Sequence, residues 1–216
     1  RDESEEQCKV TLTRPFWIGE YEVTQEQYES VVGKNPSHFK GANLPVECVS
    51  WSDAMKFCRK LNARERSAGR LPAGYVYSLP TEAQWEYACR AGTTTALNNG
   101  KDLTDTAVCP NLDEVAWYDV NSNSQPHPVG QKAPNAWGLY DMHGNVMEWC
   151  SGWVVGHHGR GPHVDPTGPA SGTKRAWRGG SWNTDASYCR SGACWGGGPY
   201  ESYRNVGFRL ALVPER

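Results

Sequence analysis

Apolar residues fall at helical spacing in three stretches, each with its own start signal. Thr24-x-x-Gln27 is a capping box and predicts a helix to about Val32, with Gly33 as its stop. Ser50, with Asp53 three positions on, predicts a second helix from Trp51 to about Arg64. Its apolar face would be Trp51, Ala54, Met55, Cys58 and Leu61, a core face rather than a cofactor box. Thr81 and Gln84 open a third helix, for which Gly92 reads as the stop. Val10 and Leu12 alternate with polar neighbours and predict an edge strand within residues 1–14. Residues 93–130 read as irregular around one apolar island, Val115 to Tyr118, and beyond them come short strands and turns. The pattern is α+β with low regular secondary structure and many ordered loops.

The stretch from Trp177 to Arg209 breaks the pattern. It opens on Gly179-Gly180, closes on Gly207-Phe208-Arg209, and between them carries small polar residues, tyrosines and a triple glycine. Having almost no aliphatic side chain, it cannot bury itself and must lie on a scaffold built by the rest of the chain. Its tryptophans argue against disorder. The composition agrees, because 10 Trp, 23 Gly and 14 Pro in 216 residues describe short elements around an aromatic core. No linker divides the chain, so it reads as one domain over 1–216, and a monomer is expected. A formal charge of -2 gives no sign of a nucleic-acid surface, and no apolar run is long enough for a membrane span. The first residue is Arg1, which leaves room for a removed signal, anchor or stalk.

None of the eight cysteines forms a C-x-x-C pair, which argues against zinc and thioredoxin-type sites. Their even number in a loop-rich chain favours disulfides and an oxidising compartment, the competing reading being buried small hydrophobes. His157, His158 and His163 lie in a Gly/Pro-rich loop and read as solvated rather than metal-bound. Asn145 and Glu148 bring hard oxygens close together, with the Gly144 and Val146 main chain beside them, which suits a structural Ca²⁺. A tight turn held by Asn145 accounts for the same residues.

Together these blocks resemble the formylglycine-generating enzyme (sulfatase-modifying factor) family. The resemblance rests on Glu22-Val23-Thr24, Pro45-Val46-x-x-Val49-Ser50-Trp51, Leu79-Pro80-Thr81-Glu82-Ala83-Gln84-Trp85-Glu86-Tyr87, Gly138 through Trp149, Arg178-Gly179-Gly180-Ser181-Trp182 and Gly207-Phe208-Arg209. It implies a C-type-lectin-like fold and strengthens the calcium reading, with Met147 where the family usually has tryptophan. It further implies an oxidase using two copper-binding cysteines to convert a substrate cysteine to formylglycine. The second of these matches Cys189 and the first falls on Thr184. A hydroxyl cannot replace a thiolate for Cu(I), so the resemblance carries the scaffold without the copper site. The same resemblance implies disulfides between Cys89 and Cys194 and between Cys150 and Cys189, with Cys58 as the alternative partner of Cys89.

The resemblance extends to variable proteins of diversity-generating retroelements, whose final segment is rewritten at AAY codons. Asn183, Thr184, Asp185, Ser187, Tyr188, Gly192, Ala193, Gly196, Gly198, Tyr200, Ser202, Tyr203 and Asn205 are all reachable from such codons. Trp195 is not, and it reads as a fixed neighbour within the same contact set. Tyr, Ser, Gly and Asn make an adaptable contact surface. The expectation is a non-catalytic display protein, extracellular or on a cell or virion surface, that binds protein or cell-surface ligands. The alternative is a formylglycine-generating-type or related metal-dependent oxidase with a divergent active site around Cys189.

Overall fold

The structure, a computed structural model, describes residues 8–154 and 161–215. In chain order the strands are β1 (Val10–Thr11), β2 (Trp17–Ile18), β3 (Tyr75–Ser78), β4 (Ala116–Trp117), β5 (His143–Gly144), β6 (Met147–Trp153), β7 (His163–Val164), β8 (Arg175–Arg178), β9 (Cys194–Gly197), β10 (Val206–Gly207) and β11 (Ala211–Pro214). The helices are α1 (Gln25–Val32), α2 (Trp51–Ser67), α3 (Glu82–Arg90) and the single turn α4 (Pro110–Asp113). The main sheet runs β10-β6-β8-β9, and a second sheet runs β2-β11-β3. The predicted α+β character, with little regular structure, is what is found.

All three capping boxes form, at Thr24/Gln27, Ser50/Asp53 and Thr81/Gln84. Gly33 takes the left-handed conformation that ends α1. At α3 the left-handed stop is Ala91 (φ 44°), one residue before the predicted Gly92. Helix α2 runs past Arg64 to Ser67, because the Glu65 carboxylate holds Arg70 at 2.7 and 3.0 Å and fastens the last turn. The strand expected over 1–14 shrinks, among the described residues, to β1, paired in parallel with β7. The irregular stretch 93–130 contains α4 and β4, elements too short to leave a period.

Aromatic rings knit the core. Phe57 of α2 stacks on Tyr28 of α1, with ring centres 5.4 Å apart, and meets the edge of Phe208 at 5.4 Å. Trp149 donates to the Val49 carbonyl and Trp51 to that of Cys150, both at 2.9 Å, so the indole N–H groups tie β6 to the start of α2. Strand β11 lies between β2 and β3, in register Ala211–Ile18 and Leu212–Tyr77. No described helix is long and apolar enough to cross a membrane.

Candidate functional site

Two buried cations hold the irregular C-terminal segment. Arg209 donates to both Glu148 oxygens (2.6 and 2.7 Å) and to the carbonyls of Gly19, Glu20 and Tyr140. Trp85 donates to the same carboxylate at 2.7 Å. Burial works against the Arg209 charge, but Glu148 more than offsets it and the guanidinium pKa is raised. Arg178, at the end of β8, pairs with Glu82 and Glu86 of α3 and bonds the carbonyls of Ser191 and Ala193. Gly180 (φ 73°) then turns the chain where a Cβ would run into Cys189.

From this frame the segment returns to the surface. Asp185 caps a single turn of 3-10 helix, Ala186–Cys189. Asn205 donates to Asn183 (2.9 Å) and Ser181 (3.2 Å), holding the two limbs of the segment together. The far loop is pinned by main-chain bonds, Cys48 N–H to the Tyr203 carbonyl (2.9 Å) and Ser52 N–H to that of Pro199 (3.0 Å). Tyr200 projects 84% exposed; Trp195 (48%) and Tyr203 (38%) flank it. Trp195 stacks on Tyr188 at 4.7 Å, and Tyr203 meets the edge of Trp177 at 5.4 Å while its hydroxyl donates to Glu201.

Of the residues predicted to make contacts, Asn183, Trp195, Tyr200, Ser202 and Tyr203 are exposed. Thr184, Asp185, Ser187, Tyr188, Gly192, Gly196, Gly198 and Asn205 are half-buried. Ala193 is a correction: it is 3% exposed, and its carbonyl serves Arg178. Gly196 is another, because a Cβ there would run into the Arg175 carbonyl and the Val154 side chain, so no other residue fits without a shift. Phe39 has no signal in the sequence, yet its ring meets the edge of Trp182 at 5.5 Å beside Asn183. Its loop is distant along the chain and reads there as a plain turn.

Thr184 and Cys189 do come together, with Oγ1 4.0 Å from Sγ. The hydroxyl is already used within the turn, accepting from Ser181 N–H and donating to the Ser181 carbonyl. Cys189 is buried, and burial pushes its thiol up to about 12. Such a thiol is protonated at neutral pH. The expected disulfides do not form: all eight cysteines are free. Several of their sulfurs face oxygen or nitrogen instead. Cys89 sits 3.6 Å from Ser191 Oγ and 3.8 Å from His143 Nε2, Cys194 donates to Glu82, and Cys150 points toward the Glu148 carbonyl. Cys58 is buried in the apolar face of α2.

The calcium ligands expected at Asn145 and Glu148 do not fit. Asn145 Oδ1 accepts from His127 N–H, its Nδ2 donates to Glu22 and to the His127 carbonyl, and Glu148 is spent on Arg209 and Trp85. Val146 N–H bonds Glu22 as well. Acid is nevertheless in excess here, for Glu22, Asp141 and Glu148 surround one Arg209. Burial raises Asp141 to about 6 and Glu22 well above its usual range. Asp141 Oδ2 accepts from Gly130 N–H at 2.7 Å, whereas its buried Oδ1 has no partner. Among the described residues no three His, Cys, Asp or Glu side chains gather as a metal-binding group. Of the three loop histidines, His157 and His158 lie outside the described residues, and His163 stands in β7.

This arrangement has known counterparts. The Treponema denticola variable protein 1 superposes with a TM-score of 0.86 at 36% identity, covering 99% of this chain and 90% of its own. Among curated proteins, the chaperone protein LppX of Paenibacillus barcinonensis is 35% identical over 218 residues, 80% of this chain and 71% of its own. The formylglycine-generating enzyme of Mus musculus is 33% identical over 94% of this chain, which spans only 52% of that enzyme's length. The fold is the C-type-lectin-like fold of these proteins. The family described as sulfatase-modifying factor enzyme 1-like domain matches residues 1–213. With its Glu148–Arg209 centre, its glycine turn and its surface segment, the chain belongs to the sulfatase-modifying factor family.

Proposed function

We propose that this chain is a non-catalytic ligand-binding protein that displays residues 177–209 as its contact surface, in the manner of a diversity-generating retroelement variable protein. The observation that carries the reading is Tyr200, 84% exposed in a loop whose backbone is pinned on both sides. A large ring that already sits in water on a rigid frame binds at little cost in conformational entropy. Trp195, Tyr203 and Asn183 extend that face, and the half-buried Tyr188 and Asn205 support it. The ligand is a protein or cell-surface molecule met outside the cell. The test is to sequence the gene in related isolates. Codons for Asn183, Tyr200, Ser202 and Asn205 should diverge while those for Gly196, Phe208 and Arg209 stay fixed; uniform divergence across the chain would sink the reading.

Cys189 favours one second reading, a cysteine-oxidising enzyme that uses this single thiol. It requires native Cys189 to bind Cu(I) and to be lost as a thiol on alkylation, which its burial opposes. For calcium, the proposal moves from Asn145 to the buried Asp141 oxygen that has no partner. Chelation should then lower the melting temperature of the wild type and leave that of Asp141→Ala unchanged. Equal behaviour of the two proteins would remove calcium from the account.

A further inference from the structure

The strand edges of the molecule are not treated alike. On the main sheet β10 is one end and β9 the other. Beside β10 the chain is covered by main-chain pairing: Val23 N–H bonds the Phe208 carbonyl just past the strand (2.9 Å), and Val46 N–H bonds that of Val23 (2.8 Å). On the second sheet β3 is an edge, and there Asn62 accepts from Tyr77 N–H (2.7 Å) and donates to the Tyr77 carbonyl (2.8 Å), closing it with a side-chain amide. Strand β9 has neither device. Its only main-chain partner among the described residues is β8, in register Trp177–Trp195 and Ala176–Gly196. In an antiparallel ladder alternate residues of an outer strand turn N–H and C=O away from their neighbour. Those groups on β9 face outward.

Proteins guard such edges with charge, proline or a covering segment. The sequence Cys194-Trp195-Gly196-Gly197 has no charge and no proline. Beside it stands the Trp195 ring, half exposed and held flat against Tyr188. We infer that β9 is a docking edge that pairs through its main chain with an extended segment of a protein partner, with Trp195 as the apolar wall for that segment's side chains. Main-chain pairing is indifferent to the partner's sequence, and side-chain pockets supply the selection. That division suits a surface whose side chains change, since a fixed Gly196 keeps the strand straight while Tyr200, Ser202 and Tyr203 discriminate. The inference rests on the binding reading above and adds the chemistry of the partner.

The probe is a phage-displayed library of random linear dodecapeptides selected on the intact protein, followed by free synthetic binders methylated at one amide nitrogen at a time. If β9 pairs with them, affinity falls about tenfold or more at every second amide, a period of two along the peptide. Hydrogen exchange of residues 194–197 slows on binding, and Trp195→Lys weakens the same peptides while the melting temperature holds. A flat methylation profile overturns the inference, as does a library that yields no linear binder. The two readings separate cleanly. If the profile is flat but Tyr200→Ala and Tyr203→Ala still weaken the binders, the contact surface stands and strand pairing falls. If those substitutions also have no effect, the contact surface itself falls.

Discussion

Arg209 and Tyr200 lie nine positions apart in sequence and are held by opposite physics. Arg209 is fully buried, its charge matched by Glu148 and its remaining donors by three carbonyls. Tyr200 makes almost no contact, and its loop is held through main-chain bonds at Pro199 and Tyr203. The difference teaches how one chain can keep a frame constant while a neighbouring surface changes. Side chains hold the frame and main-chain bonds hold the Tyr200 loop, so the Tyr200 side chain is free of structural duty, unlike those of Asp185 and Asn205 in the same segment.

The largest effect should come from breaking the frame. Arg209→Met leaves Glu148 buried without its partner and should cost about 3–5 kcal/mol in urea unfolding. A loss below about 1 kcal/mol would mean that the centre is solvated and the contrast false. Next comes Gly196→Ala, which pushes a methyl group into the Arg175 carbonyl and should cost about 1–3 kcal/mol. If it is neutral, Gly196 rejoins the changeable positions. Thr81→Ala removes the α3 cap that aims Trp85 at Glu148, with an expected loss of about 1 kcal/mol.

Smaller still, Tyr200→Ala should alter stability by no more than about 0.5 kcal/mol while lowering ligand affinity. A melting temperature many degrees lower would make Tyr200 a structural residue. The smallest effect sharpens the contrast from inside the site. With its thiol near 12, only about a thousandth of Cys189 is thiolate at about pH 9, so the native protein should be alkylated there on the order of a hundredfold more slowly than an exposed thiol. A rate close to that of an exposed thiol would show an accessible, low-pKa thiolate and reopen the enzymatic reading.

The helices were legible because their signals are local. A Thr or Ser with a Gln or Asp three positions on satisfies the first turn whatever surrounds it, and all three boxes formed. The tyrosine-rich segment was legible too, because a stretch without aliphatic side chains cannot make its own core. The hydrogen bonds that engage Asn145 and Glu148 were not legible, for the opposite reason. The chain spacing of Asn145 and Glu148 gives no warning that Glu22, His127 and Arg209 arrive from distant segments to use up their oxygens. Ala193 and Gly196 likewise match the composition of a variable surface, and only their neighbours, Arg178, Arg175 and Val154, remove them from it.

By itself, then, the sequence determined where helices begin, which family scaffold they build and that the final segment must lie on its surface, for these depend on neighbours a few residues apart. Only the tertiary structure decided which members of that segment face water, that Thr184 stands against Cys189, and that β9, among the described residues, pairs through its main chain with β8 alone. Those outcomes depend on which distant backbone or charge reaches each atom first, and burial gives that competition its energy.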